Sequence, residues 1–192
     1  DLRRLRDLVD RSLSVVRLNA GIASVERVVI GPLMEEIEIS ATMEANARRH
    51  HVTVETRDGD TVVEGDRQIL ASIISNLVQN AFKYTHPRSR VVLRTWTEAA
   101  LVRIAVEDQC GGLPPGSAET LFKPFHQQSA DRSGLGLGLA TCLRGVEALG
   151  GTITVRDVPG KGCVFTVQLP VAPPISPNVS ASRVGSEPQT PG

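Results

Sequence analysis

The stretch from Asp66 to Thr85, DRQILASIISNLVQNAFKYT, constrains this chain more than any other. Its apolar residues Ile69, Leu70, Ile73, Ile74, Leu77, Val78, Ala81 and Phe82 recur at helical spacing. Asp66 stands where an N-cap belongs. Asn76, Asn80 and Lys83 interrupt the pattern at spacings of four and three, so at about 100° per residue they share one narrow face. Two mediocre helix formers on one stripe need partners. Either the stripe faces water, or it offers amide oxygen to a hard cation with a lysine beside it for phosphate charge.

Around this helix the chain alternates in type. The opening, DLRRLRDLVDRSLSVVRLNAG, places Leu2, Leu5, Val9 and Val16 on a narrow stripe suited to a helical bundle or coiled coil. Gly31-Pro32 opens a second helix running through Leu33, Ile37 and Ala41 towards Arg49, with proline at the first helical position. HVTVET and TVVEG read as two strands joined by a turn at Asp58-Gly59, a hairpin. VVLRTW and LVRIAVED are further strands, and TITVRD and CVFTVQLP form a closing hairpin around Pro159-Gly160. Beyond Pro170, the last 22 residues hold five of the twelve prolines and four serines, the composition of a linker or tail.

Composition limits the function classes. The 192 residues carry 21 Lys+Arg and 21 Asp+Glu, a formal net charge of zero, which removes the general electrostatic reason to bind nucleic acid or an acidic membrane surface. Any anion site must be local. Only four Phe, one Tyr and one Trp are present, so a base-stacking platform is disfavoured. Three cysteines without CxxC spacing fit a reducing, cytoplasmic setting. No apolar run approaches the roughly 20 residues of a bilayer span.

Two further features carry chemistry. Asp108 ends a strand in which Val102, Ile104 and Val106 share its face, so its carboxylate points where the core residues point. A buried carboxylate needs partners, either the turn that follows or a ligand such as an adenine amino group. The run GLGLGLA, Gly134 to Ala140, leads from a loop into a helix, where small residues allow close backbone approach and free N–H groups suit an anion. It fits neither the P-loop, since no GK[ST] follows, nor the dinucleotide fingerprint, since no strand precedes it.

In this order the features resemble the ATP-binding catalytic domain of sensor histidine kinases, the Bergerat (GHKL-type) fold shared with the gyrase, MutL and heat-shock chaperone ATPases. The resemblance covers residues 29–170. It runs through an N-box (Asn76 to Thr85), a first G-box (Asp108 to Leu113), an F-box (Leu121-Phe122-Lys123-Pro124-Phe125), a second G-box (Gly134 to Leu139) and the turn Gly160 to Phe165. It implies an α+β, two-layer sandwich with a mixed sheet packed against helices. Residues 1–24 then resemble the second helix of a dimerisation and histidine-phosphotransfer hairpin, and residues 171–192 a disordered linker or tail.

The resemblance also implies roles. Asn80 would hold Mg²⁺ bridging the phosphates of ATP, Lys83 would contact phosphate, and Tyr84 would lie near adenine and ribose. Asp108 would accept from the adenine amino group, and Gly112 would let the chain turn beside the base. Gly134, Gly136 and Gly138 would let a mobile lid fold over the triphosphate, anchored by Phe122 and Phe125. Asn76, Leu113, Leu135, Leu137, Leu139 and Thr166 complete the expected ATP-contacting set.

Asn76 bears on the branch of the superfamily. The ATPase and anti-sigma serine kinase branches typically carry Glu there as a general base; Asn cannot take a proton at neutral pH. A neutral imidazole is already a nucleophile, so the resemblance implies γ-phosphate transfer to a histidine. None of His50, His51, His86 and His126 occupies the phosphoacceptor position, which implies that the acceptor lies on a helix preceding this sequence. Implied partners are a second copy through the hairpin and a response regulator or receiver domain. A cysteine, Cys110, replaces the first glycine of the usual D-x-G-x-G, with Gly111 one place later. The alternative reading is therefore a non-catalytic nucleotide-binding module, and a less favoured one an ATPase or serine kinase.

Overall fold

The computed structural model describes residues 24–118, 120–124 and 137–174. The expected bundle helix, the lid residues Phe125, His126, Gly134, Leu135 and Gly136, and the tail from residue 175 lie outside them. The elements run β1 (Glu26–Val29), α1 (Ile30–Arg48), β2 (His51–Thr56), β3 (Val62–Gly65), α2 (Arg67–Tyr84), β4 (Arg90–Glu98), β5 (Leu101–Glu107), α3 (Gly138–Ala148), β6 (Thr152–Val158) and β7 (Gly162–Pro170).

Five strands form one sheet in the order β2-β4-β5-β7-β6. β2 and β4 are parallel, and the other neighbours are antiparallel. Strand alternation sorts the sheet into two faces. Leu93, Val102, Ile104, Val106, Phe165, Val167 and Ile153 pack with the apolar sides of all three helices in a single core. The opposite face carries the ion pairs of Arg94 with Glu55 (2.9 Å) and Glu107 (2.6 Å). The result is the α+β two-layer sandwich with a mixed sheet.

The central helix α2 forms as its pattern predicts. Asp66 accepts from the Gln68 and Ile69 N–H groups at 2.9 and 3.1 Å, satisfying two of the four unpaired donors of the first turn. All eight expected apolar positions are buried. α3 crosses α2 closely because Gly145 carries no side chain: a Cβ there would stand 3.0 Å from Ile73 Cδ1.

Three local expectations are corrected. HVTVET and TVVEG are not a hairpin: β2 pairs with β4, while β3 pairs antiparallel with β1 in a separate two-stranded sheet. The Asp58-Gly59 turn crosses between sheets. Its Gly59 carbonyl accepts from Gly31 N–H at 2.7 Å and Asp58 Oδ2 from Thr97 N–H at 3.0 Å, contacts that replace a hairpin ladder. Pro32 is the third helical residue rather than the first, because Ile30 and Gly31 already bond to the Thr61 and Gly59 carbonyls. The domain also continues past Pro170, since Val171 and Ala172 donate to the Ala100 and Val62 carbonyls at 3.0 and 2.7 Å. Among the described residues, no helix is long and apolar enough to cross a membrane.

Candidate nucleotide site

The inward phase of Asp108 is realised. The residue is 6% exposed, and its Oδ1 accepts from the backbone N–H groups of Cys110 and Cys163, each at 3.0 Å. Its own N–H donates to the Cys163 carbonyl at 3.0 Å, extending the β5–β7 pairing by one residue. Among the described residues two backbone N–H groups thus hold Oδ1, and the Cys110 thiol lies against the same carboxylate. Gly162 makes the arrangement possible, because a Cβ there would run into the Asp108 carbonyl.

The loop after Asp108 is tied on both sides. Gln109 N–H donates to Thr85 Oγ1 at 2.9 Å, joining the loop to the end of α2. Leu113 N–H donates to Asp157 Oδ1 at 2.8 Å, joining it to β6. Gly111 and Gly112 take φ of +88° and +102°, and Cys110 is not among the positive-φ residues. The left-handed turn therefore falls one place after the substituted glycine, and Cys110 needs no strained backbone.

Cys110 has an unexpected neighbour. Its Sγ lies 3.3 Å from Cys163 Sγ. Burial, and then the hydrogen bond with Asp108, push the Cys110 thiol above its ordinary pKa. Burial, and then the Cys110 contact, do the same to Cys163.

The amide face of α2 meets the start of α3. A Cβ placed on Gly138 would lie 3.9 Å from both Asn76 Oδ1 and Asn80 Nδ2, so both amides border the same backbone. Thr141 N–H is the first of α3 to bond back, to the Leu137 carbonyl at 2.8 Å. The N–H groups of Gly138, Leu139 and Ala140 thus have no intrahelical acceptor, and with the positive end of the helix dipole they form a setting for an anion. Amide oxygens beside it suit a hard cation, and a half-turn of the Asn80 amide exchanges its N for O. The donor set fits Mg²⁺. Lys83 lies one turn on, with Nζ 5.1 Å from the centre of the Tyr84 ring, and Tyr84 is 41% exposed.

Phe122 and Thr166 sit differently from one another. The Phe122 ring meets Phe165 edge-on, with centroids 6.5 Å apart, which seats the segment after the first G-box on β7. Thr166 alternates with the core-facing Phe165 and Val167, so it lies on the face of the sheet opposite the helices and opposite Asp108. Cys163 is the residue of that turn beside Asp108. It was missed because nothing in a Gly-Lys-Gly-Cys run shows which residue faces a strand two connections away. Thr85 and Asp157 were missed for the same reason: their roles exist only once β5, β6 and α2 are assembled.

Comparison with known proteins bears on the family and the fold. Residues 65–173 match the family described as histidine kinase-, DNA gyrase B-, and HSP90-like ATPase. The chain is 30% identical over 173 residues to the alginate biosynthesis sensor protein KinB of Pseudomonas aeruginosa, covering 89% of this chain and 29% of that protein. Full-length ShkA, solved in complex with AMPPNP, superposes with a TM-score of 0.74 at 27% identity, covering 88% of this chain and 36% of that one. The nucleotide-free catalytic domain of histidine kinase ThkA gives a TM-score of 0.69 at 25% identity over 77% of this chain and 95% of that one. This chain belongs to the histidine kinase-, gyrase B- and HSP90-like ATPase family, and its fold is that of a histidine kinase catalytic domain. It spans less than a third of the length of KinB.

Proposed function

We propose that this domain binds Mg-ATP and donates the γ-phosphate to a histidine on a helix outside the described residues, for relay to a response-regulator aspartate. The observation that carries this reading is the junction at Gly138, where the amides of Asn76 and Asn80 border the N-terminus of α3.

Each group has a task. Asp108 Oδ2 accepts from the adenine amino group, selecting adenine because a guanine offers a carbonyl oxygen at that position. Gly112 lies within reach of Asp157 and Pro159, keeping the chain tight beside the base. The N–H groups of Gly138, Leu139 and Ala140, without an intrahelical acceptor, take phosphate oxygens, and Lys83 leaves its contact with Tyr84 to add charge. Mg²⁺ held by Asn80 and Asn76 would supply charge neutralisation on the phosphates. Asn76 cannot abstract a proton, so the acceptor must be nucleophilic without a base, as a neutral imidazole is. Leu113, Leu137 and Leu139 are half-buried and exclude water near the pocket. Dimerisation belongs to the same proposal, through a hairpin supplied by the segment around residues 1–24.

The non-catalytic alternative draws on Cys110 and a short lid, and the ordinary backbone at Cys110 supports the kinase reading. The test is phosphotransfer. A longer chain including the upstream helix, incubated with Mg-ATP, should gain acid-labile, base-stable phosphate on histidine. Nucleotide binding without any such phosphate would refute the kinase reading.

A further inference from the structure

Asp108, Cys110 and Cys163 form a cluster in which one oxygen and two sulfur atoms all lie within 4.8 Å of one another. Two soft donors and one carboxylate oxygen are three of the four ligands of a tetrahedral Zn²⁺ site. The sulfur spacing discriminates between the two chemistries open to a thiol pair. At Zn–S bonds of about 2.3 Å, tetrahedral geometry sets two sulfurs about 3.8 Å apart. The observed 3.3 Å reaches that by opening roughly 0.5 Å. A disulfide needs about 2.0 Å, a closure of roughly 1.3 Å. Cys163 is 1% exposed and anchored by two hydrogen bonds to Asp108, one from its N–H and one to its carbonyl, so it resists the larger movement.

Electrostatics points the same way. The Asp108 carboxylate beside the thiols opposes a thiolate without a counter-charge, which slows attack on an oxidant. A divalent cation removes that opposition by neutralising carboxylate and thiolates together. Access is from the Cys110 side, where Cys110 is half-buried and Gly111 exposed.

We propose that Asp108, Cys110 and Cys163 bind one Zn²⁺, with water as the fourth ligand, and that Zn²⁺ and ATP exclude one another. Exclusion follows because Asp108 serves both; this part rests on the proposed adenine contact, whereas the metal site itself does not. Binding replaces the two S–H protons with two S–Zn bonds and releases both protons to buffer. No electron moves.

The test is calorimetric titration of the reduced, nucleotide-free chain with Zn²⁺ in two buffers of different ionisation enthalpy. One equivalent should bind with net proton release, and Cys110→Ser and Cys163→Ser should each weaken it at least tenfold while circular dichroism stays native. Cys142→Ala should bind Zn²⁺ as wild type does. Saturating Zn²⁺ should then weaken ATP at least tenfold. Unchanged affinity in both serine variants overturns the site, as does loss of two titratable thiols in air with no zinc uptake, which marks a disulfide instead. Equal ATP affinity with and without bound Zn²⁺ overturns the exclusion. Absence of ATP binding in zinc-free protein is a failure of the nucleotide reading, and the zinc isotherm records the metal site separately.

Discussion

Asp108 and Cys163 are joined by two hydrogen bonds of opposite sense: Asp108 N–H donates to the Cys163 carbonyl, and Cys163 N–H donates to Asp108 Oδ1, both at 3.0 Å. The second bond fixes the orientation of the carboxylate, as the proposed contact with the adenine amino group requires. Asp108→Asn replaces a charged acceptor by a neutral amide. Hydrogen bonds to charged groups contribute about 1.5–3 kcal/mol, so ATP affinity should fall by roughly 10- to 150-fold. Titration with ATP and with GTP checks this, and the small preference for ATP that remains should be much below that of the wild type.

Gly162→Ala should destabilise the domain by about 3 kcal/mol, because the new methyl group collides with the Asp108 carbonyl and the backbone pair must part. Denaturant unfolding measures the loss. An unfolding midpoint equal to wild type would show that β7 enters the site differently.

Asp66→Ala should cost about 1–2 kcal/mol by stripping the cap from α2, two of whose acceptor-less first-turn N–H groups, Gln68 and Ile69, it serves. The cap lies at the far end of the helix from Asn80, so ATP affinity in the folded variant should match wild type. These two readouts separate helix stability from site chemistry.

Cys142 is fully buried and its thiol is pushed up to about 12 by desolvation, from an ordinary 9.0. The unfolded chain therefore loses this proton first as pH rises. The stability tied to the protonated thiol is complete below pH 9 and is lost as pH climbs towards 12, at about 1.4 kcal/mol per unit in mid-window. Between pH 9 and 10 wild type should lose about 1 kcal/mol more than Cys142→Ala. Parallel unfolding curves for the two proteins would contradict that burial.

What could be read from residues alone was whatever depends on local periodicity. The eight apolar positions of α2, its Asp66 cap and the inward phase of Asp108 follow from spacings within one element, and the structure keeps them all. Pairing between elements was not legible. Asp58-Gly59 signalled a turn but not which strands it would serve, and ERVV, with only Val28 buried, was too short and too exposed to register as β1. The resemblance implies an ATP contact for Thr166, yet the alternation set by Phe165 and Val167 turns it to the other face. The prolines after residue 170 suggested a tail, although the N–H groups of Val171 and Ala172 still bond within the domain.

The amides of Asn76 and Asn80 are proposed to hold the cation that would accompany ATP at the start of α3. The most direct measurement is equilibrium titration of ATP with and without Mg²⁺ on wild type and Asn80→Asp. Wild type should bind at least tenfold more tightly with Mg²⁺, and Asn80→Asp, folded by circular dichroism, should lose productive Mg-ATP binding. Equal, tight, magnesium-dependent binding by both proteins would contradict the assignment of Asn80.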